Sequence, residues 1–308
     1  MPVALSLAGG FAVGFALRAS LQRYFAVAFR TQFALGIGSL AVLAGWAYQG
    51  GVSDVLALGL LLAAQISSVL LGAWLFRRRR EGPMLAFGMF GNPTMWSLPI
   101  AAAGFGARAA VVLAAYDMLT QPRIALGVRL LRGRAPIPQR AKTALTDYAP
   151  MAGAVAGVVL GRFVEAPSSL PDVVTIAGTV LAASSAALLG LAWPGGRWMR
   201  RPELGLAAKA LALHLTFVPG VLLVASVAGL AIPPVLWVLV LGPFPMATLS
   251  FARLYGFSAR QAASGLALST LVAVALLPLA LALPCAAPWL PARLAECSSS
   301  SRSRRWRC

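Results

Sequence analysis

Between Lys209 and Arg253 the chain carries no charged side chain, His214 being counted neutral. A helix in a soluble protein keeps a polar face for water, and this run has none. A membrane-spanning helix takes about 20 apolar residues, so the run is long enough for two, and Pro233-Pro234 marks the break between them. Met84 to Ala107 and Val173 to Gly196 are also free of charge. The composition agrees: 59% of the 308 residues are hydrophobic and 11% charged, with a mean hydropathy of +0.81. Soluble domains carry roughly a quarter charged residues. The fold class expected is an all-α polytopic membrane protein.

Ten spans are expected, at 2–17, 31–48, 54–76, 84–105, 108–130, 148–164, 172–193, 204–229, 233–252 and 259–283. The first is expected to be a spanning helix and not a signal peptide, because Arg18 and Arg23 follow its apolar stretch instead of preceding it. Arginine and lysine crowd the connectors after odd-numbered spans: Arg18, Arg23 and Arg30, Arg77 to Arg80, Arg129 through Lys142, Arg197 to Arg201, then Arg253 and Arg260. Connectors after even-numbered spans hold little beyond Arg108 and Arg162. Positive loops stay in the cytoplasm, so both termini are expected outside an inner (plasma) membrane. The net charge of +18 is then a topology signal and not a nucleic-acid surface. The tail departs from the pattern, since Arg302, Arg304, Arg305 and Arg307 fall on the outer side. It reads as a disordered serine–arginine extension. Cys285, Cys297 and Cys308 have neither metal-ligand spacing nor a disulfide framework.

Two distant segments resemble each other. Gly91-Asn92-Pro93-Thr94-Met95 is followed by Phe105-Gly106 and Ala107-Arg108-Ala109-Ala110, and Gly242-Pro243-Phe244-Pro245-Met246 by Tyr255-Gly256 and Ala259-Arg260-Gln261-Ala262-Ala263. In each, a Gly/Pro cluster interrupts an apolar span, the fourth or the ninth. An odd number of spans per half makes the halves inverted. The expected organisation is one five-helix repeat over 1–130, a basic cytoplasmic connector over 131–147, a second repeat over 148–283 and the tail over 284–308. Broken helices survive in a bilayer only inside protein or beside water, and matched breaks in inverted halves point to a transporter's midplane site.

Phe90 to Ile100, which reads Phe-Gly-Asn-Pro-Thr-Met-Trp-Ser-Leu-Pro-Ile, together with Phe105-Gly106 and Tyr116-Asp117, resembles the auxin efflux carrier family. That family lies within the bile acid/arsenite/riboflavin transporter superfamily. Pro245-Met246, Tyr255-Gly256 and Ser269-Thr270 echo it in the second half. The specific likeness covers residues 88–117 and 242–270. It implies a scaffold and a transport bundle, broken helices 4 and 9 crossing at the substrate site, carriage of small organic anions or weak acids, and a homodimer through scaffold helices. The family's crossover asparagine falls on Asn92. The second crossover has no asparagine, and Thr248 or Ser250 would substitute.

The substrate-binding candidates are therefore Asn92, Pro93, Pro245 and Thr248. Asp117 falls within the fifth span, where an ionised group costs at least about 2.5–3.5 kcal/mol. It reads equally as a coupling site for H⁺ or Na⁺ and as a structural carboxyl bonded to Tyr116 or Gln121. His214 reads as a proton relay or, with more weight, as a neutral interhelical hydrogen-bonding group. Gln65 and Gln121 read as interhelical hydrogen bonds, and Gly153, Gly157 and Gly161 as a close-packing stripe on the sixth span. The chain has no Walker loop, nucleophile elbow or HExxH, and its acidic residues are scattered. The expectation is a carrier that is not an enzyme and has no cofactor, resident metal or nucleic-acid partner. Its partners would be the lipid bilayer and a small organic anion. The alternatives are a non-transporting sensor or scaffold with a decayed site, and a sodium-coupled organic anion symporter.

Overall fold

The computed structural model describes residues 2–48, 52–76, 93–118, 149–192, 201–230, 232–244 and 258–286. Among them every regular element is helical. The first part runs α1 (Pro2–Ala16), α2 (Arg18–Leu21), α3 (Phe25–Thr31), α4 (Gly38–Trp46), α5 (Val52–Phe76), α6 (Leu98–Phe105) and α7 (Ala107–Met118). The second runs α8 (Ala149–Leu160), α9 (Leu170–Ala192), α10 (Arg201–Val227), α11 (Pro234–Val240) and α12 (Ala259–Ala286). Two π turns interrupt the regular winding, Gln32–Ile37 ahead of α4 and Pro93–Ser97 ahead of α6.

Among the described residues three helical stretches are long and apolar enough to cross a membrane: Val27–Trp46, Leu170–Leu191 and Glu203–Val227. Their outward faces are hydrocarbon, as at Val27, Leu35, Ile176, Val224 and Val227. Apolar exposure on this scale marks a surface meant for lipid or for a partner. The break at Pro233-Pro234 has a local cause. Past α10, Gly229 takes a φ of +92° that glycine adopts without steric penalty, and the Leu230 amide turns back to the Ala225 carbonyl at 2.9 Å. Pro233 and Pro234 then start α11, where a missing amide hydrogen is no loss.

The helices pack in two sets. In the first, α1 lies along α9 and α8 lies along α4. Both contacts bring backbone against backbone. A Cβ at Gly10 or Gly14 would overlap the carbonyl oxygens of Ala183 and Ala187. A Cβ at Gly153 or Gly157 would overlap those of Gly38 and Val42. The reverse contacts match as well. Gly190 of α9 meets Phe11 and Phe15, the residues after Gly10 and Gly14, while Gly45 of α4 meets Ala154 and Val158, the residues after Gly153 and Gly157. The stripe read from Gly153, Gly157 and Gly161 thus faces α4, and α1 carries a counterpart in Gly10 and Gly14. Trp46 closes the α4–α8 contact by donating its indole N–H to the Val164 carbonyl at 2.9 Å.

In the second set, α10 packs against α5 and α12, and α11 against α10 and α12. Helices α6 and α7 join the two sets, α6 through α9 and α11, and α7 through α4, α8 and α11. The turn between α6 and α7 is made by Gly106, at φ +81° and ψ −168°, a region that essentially only glycine occupies. Gly106→Ala is expected to lower stability by about 1–3 kcal/mol. Thermal unfolding in detergent would register this as a clear drop in Tm, and an unchanged Tm would show that the turn can reorganise.

Candidate functional site

Helical winding is disturbed at two places where the sequence sets glycine near proline, once by a π turn and once by the end of a helix, and these two interruptions of the regular winding meet. The first is the π turn Pro93–Ser97, in which Met95, Trp96 and Ser97 are buried. A π turn inserts an extra residue into a helix and is frequent at functional sites. The second lies at the end of α11, where helical winding stops before Pro243. Gly242 makes room for the first: a Cβ there would stand 3.2 Å from Cδ1 of Trp96. Helix α11 also packs against α6 and against the π turn itself.

Ending a helix in an apolar interior leaves carbonyls and amides that must find partners. At the second interruption the partners are side chains. The Val240 carbonyl lies 2.8 Å from Nε2 of His214, a fully buried residue of α10. A carbonyl only accepts, so Nε2 holds the proton and donates it. The Phe244 amide donates to Oγ of Ser269 on α12 at 2.9 Å, and that hydroxyl donates onward to the Leu266 carbonyl at 3.0 Å. The Phe244 ring stands edge-on to the imidazole, with centroids 6.3 Å apart. The second interruption is therefore fastened from both sides, by α10 and by α12.

Most of the buried polar side chains among the described residues lie on the second set of helices and the π turn. Gln65 and Ser68 lie on α5, Ser97 on the π turn, His214 on α10, and Gln261, Ser264, Ser269 and Thr270 on α12. In the α1–α4–α8–α9 set the buried polar side chain is Ser185 alone among the described residues, and its Oγ accepts from Gln32 at 2.7 Å. Ser97 and Ser68 each have a buried Oγ without a hydrogen-bond partner. Such a group costs about 1–3 kcal/mol, and buried hydroxyls of this kind call for a water or a ligand.

The sequence candidates divide as follows. Pro93 opens the first interruption, and His214 supports the second. Gln65 is fully buried on α5, which packs against the helix carrying His214. Asp117 is partly exposed near the end of α7, just after the fully buried Tyr116. Asn92, Pro245, Thr248, Ser250 and Gln121 lie outside the described residues. Trp96 and Ser97 lie inside the motif that carries the family resemblance, and the local signal for the serine is its place four residues after Pro93. Among the described residues no His, Cys, Asp or Glu group is arranged to hold a metal ion. Neither a family model nor a curated protein sequence matches this chain.

Proposed function

We propose that the chain is an integral membrane secondary transporter that moves a small organic acid by alternating access, with its site where the fourth and ninth spans interrupt one another. The observation that carries this reading is the meeting of the two interruptions, Trp96 against Gly242, with the freed backbone of the second held by His214 and Ser269. Two further features support it. The equivalent glycine contacts of α1 with α9 and of α8 with α4 are what an inverted five-helix repeat requires, since it exchanges the first span with the sixth and the second with the seventh. Buried polar groups concentrate in the other set of helices, as suits a mobile bundle working against an apolar scaffold.

In this reading the ten spans form two inverted repeats with both termini outside the inner membrane. Asn92 and Pro93 of the first crossover and Pro245 and Thr248 of the second bind the substrate. The likeness to the auxin efflux carriers supplies the substrate class and the direction, outward. Helix N-termini at the breaks carry partial positive charge, which favours an anion. Asp117 is assigned the coupling proton or Na⁺.

Phe244 favours a second reading. It is buried at the interruption where a polar residue is expected, and it packs against His214. A second crossover closed by a phenyl ring suits a membrane sensor or scaffold that no longer transports. Uptake and counterflow of small carboxylates in proteoliposomes separate the two readings. A transporter shows saturable flux that falls to background in Asn92→Ala and loses its ion dependence in Asp117→Asn, with both variants folded. Absence of flux in the wild type across the panel would favour the sensor.

A further inference from the structure

The outward face of the helix leading into α4 carries a groove that the transport reading does not use. It runs from Tyr24 along Val27, Ala28, Thr31 and Leu35 to Leu181 of α9, with a volume of about 520 Å³. Its walls are almost wholly hydrocarbon, because the polar group in its floor is turned inward. Gln32 donates to Oγ of Ser185 at 2.7 Å and reaches the Leu181 carbonyl at 3.4 Å. The missing side chain of Gly36 keeps the inner end open, since a Cβ there would come within 2.7 Å of Cδ2 of Leu181.

Length and charge both indicate what fills it. From Tyr24 to Leu35 a helix rises about 16 Å, close to the roughly 15 Å that one leaflet contributes to a hydrocarbon core of about 30 Å. The groove follows the first half of the candidate span Val27–Trp46, so it runs from an interface to mid-bilayer. Its outer end is basic. The Arg23 guanidinium lies 4.7 Å from the centre of the Tyr24 ring. Arg23 and Arg30, both exposed, flank Val27 at four and three residues, which puts all three on one helix face. The long stem of Arg30 lets its charge reach the headgroup level from inside the span. No acidic residue precedes Asp54 to offset these charges.

We infer that this groove is a binding site for one anionic phospholipid, with an acyl chain along Tyr24 to Leu35 and the phosphate at Arg23 and Arg30. Paired basic residues at the edge of a span recognise anionic headgroups, and the groove adds a slot for the tail. The site depends on the chain lying in a bilayer and is independent of transport.

The test is lipid retention by native mass spectrometry after release from nanodiscs of equal phosphatidylglycerol and phosphatidylcholine. The wild type is expected to retain phosphatidylglycerol in preference. Arg23→Gln/Arg30→Gln is expected to reduce that preference about fivefold for each arginine removed, with the unfolding temperature in phosphatidylcholine unchanged. Ala28→Trp, which fills the groove, is expected to lose lipid of either headgroup. If Ala28→Trp fails to fold, the arginine variant decides alone, since its side chains are exposed. Equal retention of both lipids by the wild type overturns the proposal. So does an unaltered preference in the arginine variant, or a second copy of the chain held in place of lipid and released by Ala28→Trp.

Discussion

Gly157→Leu is expected to prevent α8 from docking on α4 and to lower stability by about 3 kcal/mol or more. The position tolerates no side chain: even a Cβ would overlap the Val42 carbonyl and press on the Trp46 amide at 2.8 Å. Added methylenes in a packed core typically cost about 1–3 kcal/mol when neighbours can shift. Here the neighbour is the backbone of another helix, so the whole contact has to part. Gly14→Leu is expected to do the same to α1, whose Gly14 meets the Ala187 carbonyl as Gly157 meets that of Val42. The control is Gly9, one residue from Gly10 and with nothing within 4 Å of its Cβ position. Gly9→Ala is expected to be neutral or to stabilise by up to about 1 kcal/mol, through backbone entropy alone. Tm in detergent, read by size exclusion after heating, would rank the three. A Gly157 variant no worse than Gly9→Ala would show that close approach does not hold these helices together.

That pair of interfaces also marks how far the sequence could be read. The all-helical class and the apolar helices over Leu170–Leu191 and Glu203–Val227 followed from charge-free runs, because hydropathy is a local property. The stripe Gly153, Gly157 and Gly161 was legible for the same reason, since four-residue spacing alone puts glycines on one face. Gly10 and Gly14 carry the same spacing, but Gly9 beside them blurs the face, and only the packing tells which glycines are needed. The site was harder. A proline announces a disturbance of helical winding, and Pro93 and Pro243 mark the π turn and the stretch just past α11. Which side chain then takes the freed carbonyl depends on a neighbour brought alongside by tertiary packing. Nothing local to His214 or Ser269 names Val240 or Phe244 as partner. Asp117 illustrates the converse: its place inside an apolar span singled it out, yet it is only partly buried, so burial alone does not assign its role.

The fastening of the second interruption leads to the other large effect. His214→Leu keeps most of the volume of the imidazole but removes the donor to the Val240 carbonyl. A buried acceptor left unpaired is expected to lower stability by about 1–3 kcal/mol. His214→Ala adds a cavity beside Phe244 and is expected to cost about 2 kcal/mol more. Ser269→Ala strands the Phe244 amide and should cost about as much as His214→Leu. The two tethers hold one short segment, Val240 to Phe244, so their effects should not add. Once either is cut, the break can fray, and the remaining bond holds less. His214→Leu/Ser269→Ala is therefore expected to lose less than the sum of the single variants, by at least about 0.5 kcal/mol. Reversible unfolding of all four proteins in mixed micelles would measure this coupling. Strict additivity would mean that His214 and Ser269 brace α10 and α12 separately, and that the end of α11 does not depend on the two tethers acting together.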